Sequence, residues 1–163
     1  MNPLLPTDGS RPVAVRGIDH GSLFYLFRNR RLDGLCMRVQ LNNIPAFIRL
    51  SGEDRFKIDQ ANEHDLAILL GNGSLHFRPN ERQPADSDVG EPGCLVITNN
   101  GTGMTVRLDG HAGAYTSYWC QLSDGVLQEG IPGSGCAVDN WQLIFRALDG
   151  RDIVLFSIGP SID

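Results

Sequence analysis

Apolar residues recur at every second position on both sides of short turns, and this pattern constrains the fold more than any other feature. The clearest case spans residues 35–50, where Asn42-Asn43 separates two alternating segments. With these asparagines as a two-residue loop, the apolar residues meet on one face: Leu41 with Ile44, Val39 with Ala46, Met37 with Ile48 and Leu35 with Leu50. A one-residue slip would destroy this match, so the register is well specified. Pro45 lacks an N–H group, which predicts that strand 44–50 is an edge, at least near its start.

Three further turns predict hairpins by the same reasoning, and they lie at Asn72-Gly73, at Asn100-Gly101 and at Asp149-Gly150. At Asn72-Gly73 the predicted partners are Leu70 with Leu75 and Ile68 with Phe77. At Asn100-Gly101 they are Leu95 with Val106 and Ile97 with Met104. At Asp149-Gly150 they are Phe145 with Val154, Leu143 with Phe156 and Trp141 with Ile158. For the middle turn, a loop at Gly101-Thr102 satisfies apolar pairing equally well, so that register stays open.

These segments, with two more strands at 22–27 and 115–122, amount to about ten short strands and little helix. The only helical turn that the pattern favours lies near residues 60–65. We therefore predict an all-β fold, a single-domain antiparallel β-sandwich, with a jelly-roll-like or barrel-like arrangement as the alternative. Residues 1–12 are expected to form an extended N-terminal arm, and residues 13–163 the sandwich domain.

The charge balance and the hydropathy pattern exclude several classes of function. The formal net charge is −5 at pH 7, which disfavours a nucleic-acid partner or attraction to an anionic membrane. Apolar runs are short, so we expect no membrane span. The N-terminus lacks the features of a signal peptide, so we expect a cytoplasmic protein with reduced cysteines, although signal-independent export stays open.

One cysteine lies in an arrangement that can support catalysis. Cys94 begins a strand, and His111 follows the returning strand of the next hairpin. An imidazole near a thiol can accept its proton and make it a nucleophile. This order resembles the catalytic element of glutamine-deamidating enzymes, including bacterial cytotoxic necrotizing toxins and chemoreceptor deamidases, over about twenty residues of the chain. The resemblance implies Cys94 as nucleophile and His111 as base, and Arg107 would help to hold the thiolate.

The register of that hairpin decides whether the pair can meet. A loop at Asn100-Gly101 places His111 roughly 13 Å along the strand from the position opposite Cys94. A loop at Gly101-Thr102 makes the two residues diagonal neighbours, roughly 7–8 Å apart between Cα atoms.

Aromatic residues suggest a binding surface on the strand 115–122. Tyr115, Tyr118 and Trp119 are candidate contact residues, because aromatic rings give a large contact area at low entropic cost. Tyr118 and Trp119 are adjacent and must point to opposite faces, and we expect Trp119 to face away from the core or into a second contact. The segments 79–93 and 123–140 are long for connections, which favours a site beside them.

Metal and cofactor signatures are missing from the sequence. The four histidines form no pair at ligand spacing, and no phosphate-binding glycine motif opens a helix, so we expect neither a metal site nor a cofactor.

The leading hypothesis is therefore a non-catalytic binding or assembly module. Its ligand would be a protein or a carbohydrate, bound at Tyr115–Trp119 and the 123–140 loop. We also expect a homo-oligomer formed through an edge strand such as 44–50. The alternative is the cysteine–histidine amidohydrolase.

Overall fold

Nearly all of the regular structure is β-strand, which confirms the all-β class. The computed structural model describes residues 11–71, 73–79, 91–130, 132, 136–138 and 140–158. Within these ranges the strands are β1 Val13–Ala14, β2 Leu23–Arg28, β3 Arg31–Leu41, β4 Ile44–Arg49, β5 Ile58–Gln60, β6 Leu66–Leu69, β7 Gly73–Pro79, β8 Leu95–Thr98, β9 Gly101–Asp109, β10 Tyr115–Gln121, β11 Leu127–Glu129, β12 Cys136–Val138, β13 Trp141–Ala147 and β14 Asp152–Ile158. Four of them (β1, β5, β11 and β12) are only two or three residues long, which is why the sequence pattern did not predict them.

The strands form three antiparallel sheets. The first sheet has the order β1-β6-β2-β3-β4-β5, the second β11-β10-β9-β8-β12 and the third β14-β13-β7. The segment 123–140, predicted as a long loop, contributes β11 and β12 to the second sheet. Most of the proposed arm (residues 1–10) and most of the acidic 79–93 segment (residues 80–90) lie outside the described residues.

Both 3-10 turns of the described chain lie away from the predicted helical turn, at Val15–Gly17 and at His111–Gly113. Residues 61–65 form a non-helical turn instead. In this turn the N–H of Asn62 donates to the carboxylate of Asp65 at 2.8 Å, and such a side-chain bond competes with the helical pattern.

The Asn42-Asn43 hairpin is confirmed in register. β3 and β4 pair Leu41 with Ile44, Val39 with Ala46 and Met37 with Ile48. The expected edge position of β4 is wrong beyond its first two residues, because β5 pairs with it from Ala46 to Ile48. Pro45 is tolerated there because it contributes only its carbonyl oxygen, which accepts from the N–H of Ala61 at 2.8 Å.

The predicted hairpin at Asn72-Gly73 is wrong in its partners. β6 pairs with β1 and β2, whereas β7 pairs with β13 in another sheet. Leu75 and Phe77 find apolar partners in Phe145 and Leu143 of β13. Alternation therefore identified the apolar positions of this strand, but an adjacent segment was not its partner. Asn72 itself lies outside the described residues.

The β8–β9 hairpin has its loop at Asn99-Asn100, one residue before the first predicted loop at Asn100-Gly101. Each residue of β8 therefore faces a residue two positions earlier on β9 than predicted. Leu95 faces Met104, and Thr98 faces Gly101, so neither predicted loop is the observed one. The Thr98 hydroxyl fixes the turn, because it donates to the carbonyl oxygen of Gly101 and accepts from the N–H of Asn100, both at 3.1 Å. A shift by two keeps every side chain on its predicted face.

The β13–β14 hairpin follows the prediction at its open end only. Trp141 faces Ile158 and Leu143 faces Phe156, as expected. A bulge after Leu143 then leaves one extra residue on β14, so Phe145 faces Ile153 and not Val154.

All three sheets contribute to one apolar core. Its members come from strands β2 to β5, β8 to β10, β13 and β14 and from adjacent turns. Trp141 is fully buried in this core, its indole N–H donates to the carbonyl oxygen of Gly93 at 2.8 Å, and Phe156 meets its ring edge-on at 5.2 Å. The hydrogen bond from Trp141 to Gly93 therefore joins the third sheet to the turn that precedes the second.

The outer face of the first sheet carries a smaller core and two arginines with defined partners. Arg38 is buried and donates to the carbonyl oxygens of Val15, Val39 and Ala46, and burial lowers the pKa of its guanidinium. Arg28 forms a two-point ion pair with Asp65, at 2.8 and 2.7 Å. These bonds attach the strand ends and turns to the sheet.

The β2–β3 turn gives a test of the hairpin geometry. Asn29 and Arg30 both have positive φ, 51° and 62°, and such a conformation costs an L-residue roughly 1–2 kcal/mol. We expect Arg30→Gly to raise the free energy of unfolding by about 0.5–1 kcal/mol, because glycine relieves this cost but loses more chain entropy. Urea unfolding measures the change. Arg30→Ala removes the same side chain without relieving the backbone, so an equal gain in that variant would contradict the explanation.

The Arg28–Asp65 pair predicts a pH dependence of stability. The hydrogen bond from Arg28 and the backbone bond from Asn62 hold the pKa of Asp65 below its usual value. Since the folded-state pKa is depressed, the stabilisation is complete above the unfolded pKa of about 3.9 and is lost as the pH falls through the folded value. Asp65→Asn should cost about 2 kcal/mol at pH 7 and progressively less below pH ~4. The exposed Asp54→Asn is the control; a cost for Asp65→Asn that does not change with pH would contradict the assignment.

Candidate functional site

The outer face of the β9–β10 hairpin holds three of the six residues that the sequence predicted as functional, namely Arg107, Tyr115 and Trp119. The two strands pair without a break from Tyr115 opposite Asp109 to Gln121 opposite Gly103. The tip is closed by the N–H of Gly110, which donates to the carbonyl oxygen of Ala114 at 2.8 Å. Residues 110–114 are all exposed. Alternation places Tyr115, Ser117 and Trp119 on the outer face of β10, opposite the core.

One half of this outer face is buried. The ring of Trp119 lies across Gly103, where an added Cβ would come within 2.5 Å of it, and its indole N–H donates to the carbonyl oxygen of Val96 at 3.3 Å. Cys94 and Val96 pack with Trp119 in a small apolar cluster. The glycine therefore makes room for the ring, which explains how a large aromatic side chain on the outer face becomes 5% exposed.

The other half, toward the hairpin tip, is open and polar. Tyr115 is 46% exposed, and it lies directly opposite Asp109 across the two strands. Arg107 is two residues before Asp109 on the same face, opposite Ser117. Lys57 reaches this group from the first sheet, with its Nζ 3.4 Å from the Asp109 carboxylate. We call Lys57, Arg107, Asp109 and Tyr115 the hairpin-tip cluster.

The backbone fixes Lys57 and Arg107 beside each other. A parallel bridge joins Lys57 to Arg107, and the N–H of Arg107 donates to the carbonyl oxygen of Phe56 at 2.9 Å. The cluster thus spans the junction of the first and second sheets. Its side chains extend from paired strands, so their positions are defined before any ligand arrives.

Arg107 carries an unused donor. Its Nε atom is buried and makes no hydrogen bond in the described part of the chain, although an Asp109 carboxylate oxygen lies 3.4 Å away. A buried N–H without a partner is costly, and native proteins contain few of them. The Arg107 side chain as a whole is 35% exposed although its Nε atom is buried, so a ligand can approach only the exposed part of this side chain.

The structure does not bring Cys94 and His111 together. The N–H of Thr105 donates to the carbonyl oxygen of Cys94 at 2.8 Å, which places Cys94 beside Thr105 on the neighbouring strand. His111 follows six residues later, which corresponds to roughly 20 Å along the chain. Cys94 is also buried, and its Sγ contacts the carbonyl oxygens of Leu95 and Val138. The dyad of the deamidase hypothesis is therefore not assembled.

Two of the three predicted aromatic contact residues are buried or partly buried. Tyr118 points inward and packs against the main core. Trp119 does face away from that core and into a second contact, as expected, but it is buried there. Tyr115 is the exposed member of the three, because it lies at the hairpin tip beyond the small apolar cluster. Lys57 was missed, since sequence separation conceals its bridge to Arg107.

Two buried cysteines, Cys36 and Cys120, are made unreactive by their surroundings. Burial raises the pKa of the Cys36 thiol to about 12, and it raises the pKa of Cys120 as well. A raised pKa leaves little thiolate at neutral pH. Cys136 is the exposed cysteine, and no disulfide joins any of the four.

A cleft where the three sheets meet was missed by the sequence reasoning. Its volume is about 530 Å³, and its walls carry Leu23 of the first sheet, Leu122 beside the second, and Leu75 and Phe145 of the third, together with three serines. A smaller cavity of about 200 Å³ continues from it toward Phe77. The predicted hairpin at Asn72-Gly73 paired β7 with β6. That pairing would have closed the cleft, so the cleft was not predicted.

The described residues contain no group of three or more His, Cys, Asp or Glu side chains that could hold a metal ion. In the same part of the chain, no helix has the length and apolar character needed to cross a membrane. Comparison with known proteins finds no matching family model, no matching curated protein and no matching solved structure. The chemistry and geometry of the described surfaces are therefore the basis for assigning a function.

Cysteine alkylation tests the placement of the thiols. We expect iodoacetamide to modify the native protein once, at Cys136, and the other three cysteines only after unfolding, because burial blocks access to all three and also raises the pKa of Cys36 and Cys120. Mass spectrometry of the peptides reads out each site. Cys136→Ser should leave the native protein unmodified. Fast labelling of Cys94, with a midpoint below pH ~7, would contradict this placement and revive the nucleophile hypothesis.

Proposed function

We propose that this protein is a non-catalytic binding module whose contact surface is the hairpin-tip cluster, and that its ligand is a carbohydrate. The exposed ring of Tyr115, directly opposite Asp109 and on the same face as the partly exposed Arg107 side chain, is the observation that carries the proposal. The charged groups offer hydrogen-bond partners, and the aromatic ring beside them offers an apolar surface of the size of a sugar ring.

The groups of the cluster complement the chemistry of a sugar. A sugar hydroxyl both donates and accepts, so Asp109 can accept its hydrogen while Arg107 or Lys57 donates to its oxygen. The C–H face of a pyranose ring is apolar and can cover the ring of Tyr115. In the absence of ligand, Lys57 and Arg107 each lie 3.4 Å from Asp109, so one carboxylate partly offsets two positive charges.

The same features argue against a highly charged ligand. The cluster contains two cations and one carboxylate within a chain of net charge −5, so it provides no strong field of one sign. The exposed aromatic surface is a single tyrosine at the hairpin tip, which is small for a stable protein–protein contact.

Binding to a glycan array tests the proposal, with isothermal titration against any sugar that the array identifies. We expect Tyr115→Ala to weaken binding by about tenfold, since an aromatic contact of this kind contributes about 1.5 kcal/mol. Tyr115→Phe should retain most of the affinity, because it keeps the ring.

Leu148→Ala serves as the matched control, since Leu148 is 80% exposed in the β13–β14 turn and belongs to neither surface. An array without a bound glycan at millimolar sugar would contradict the proposal. The same conclusion would follow if Tyr115→Ala bound sugar as well as the original protein.

A further inference from the structure

The third sheet ends in an unusually regular free edge. β7 pairs with β13 through seven consecutive residue pairs without a register shift, and within the described residues its other side pairs with no strand. The opposite edge strand of the same sheet, β14, carries one extra residue at a bulge, where its pairing with β13 shifts after Leu143. Bulges protect sheet edges from adding further strands, whereas a straight edge of this length can accept one.

The inner side of this edge is open. Phe77 lies on the same face of the sheet as the core residue Leu143, yet it remains 37% exposed. Next to it are the three-sheet cleft of about 530 Å³ and the adjoining cavity of about 200 Å³, and Leu75 lines both. A strand added to β7 would direct every second side chain into this space.

The outer side of the edge is basic. Ser74, His76 and Arg78 alternate there, and β7 has no acidic residue. Within the described residues, Arg78 lies 3.6 Å from the carboxylate of Asp152 and is 58% exposed. Arg146 holds the same carboxylate through two bonds of 2.7 and 3.1 Å, so two guanidinium groups share one negative charge.

From this geometry we infer that the free edge of β7 binds an extended peptide segment of a partner protein as an additional strand, with apolar side chains facing the cleft and acidic side chains facing Arg78. Main-chain hydrogen bonds would supply general affinity, and the alternation of side chains would supply selectivity. A second copy of the chain is a poorer occupant through its own β7, because two such edges would bring His76 and Arg78 together without an acidic partner. This inference is independent of the proposed function, since the hairpin-tip cluster lies on other sheets.

The test uses the whole chain and three synthetic peptides of seven residues, the length of β7. The first alternates glutamate and valine, the second lysine and valine, and the third glutamate and serine. Fluorescence anisotropy measures binding. We expect saturable binding of the first peptide, with Arg78→Glu weakening it by about tenfold and improving the lysine peptide. Arg16→Glu makes the same charge change at an exposed residue of the first sheet region and should have no effect.

Amide hydrogen exchange locates the peptide. Binding should slow exchange at alternate residues of β7, whose N–H groups point away from β13. The inference is overturned if the glutamate–valine peptide does not bind, if the glutamate–serine peptide binds equally well, or if β7 exchange is unchanged. Slow exchange of these β7 amides in the protein without peptide would also overturn it. If that slowing increases with protein concentration, a second copy of the chain covers the edge. If it does not change with concentration, another segment of the same chain covers it.

Discussion

Burial of a shared apolar core between three small sheets is the constraint on which the rest of the structure depends. No sheet is complete without the others, since the third has only three strands and such a sheet needs a covered apolar face to be stable. Trp141 carries much of this contact. It belongs to the third sheet, packs on Phe156 and donates to Gly93 next to the second sheet. The positions of the cleft and of the hairpin tip follow from how these sheets meet.

Alternation predicts the face of a residue reliably and its partner much less so. At Asn42-Asn43 the sequence determined both, because a short loop left one register that matched the apolar residues. At Asn99-Asn100 the hydroxyl of Thr98 selected a turn that apolar matching could not distinguish. At residues 70–75 the chain crosses between sheets, and nothing local marks the difference between such a crossing and a hairpin.

The candidate site was predictable only in part for the same reason. The orientation of Trp119 away from the core could be predicted from alternation, whereas the pairing of β10 with β9, which sets Tyr115 on the same face as Arg107, could not. The burial of Trp119 could not be predicted, because it depends on Gly103 of the adjacent strand, which leaves space for the ring. The approach of Lys57 depends on contact between two sheets that are distant in sequence. Tertiary contacts of this type leave no periodic signal.

The two surfaces differ in how the fold prepares them, and this difference bears on what each can bind. At the hairpin tip, side chains on paired strands present fixed polar groups, which suits a small ligand whose hydroxyls must meet them individually. At β7 the exposed feature is the main chain itself, together with an apolar cleft that the three sheets leave open. Main-chain groups repeat along a strand and therefore match another extended chain, not a compact molecule. Arg78 adds a charge that disfavours indiscriminate pairing with basic or identical edges, so the same residue protects the edge and selects its partner.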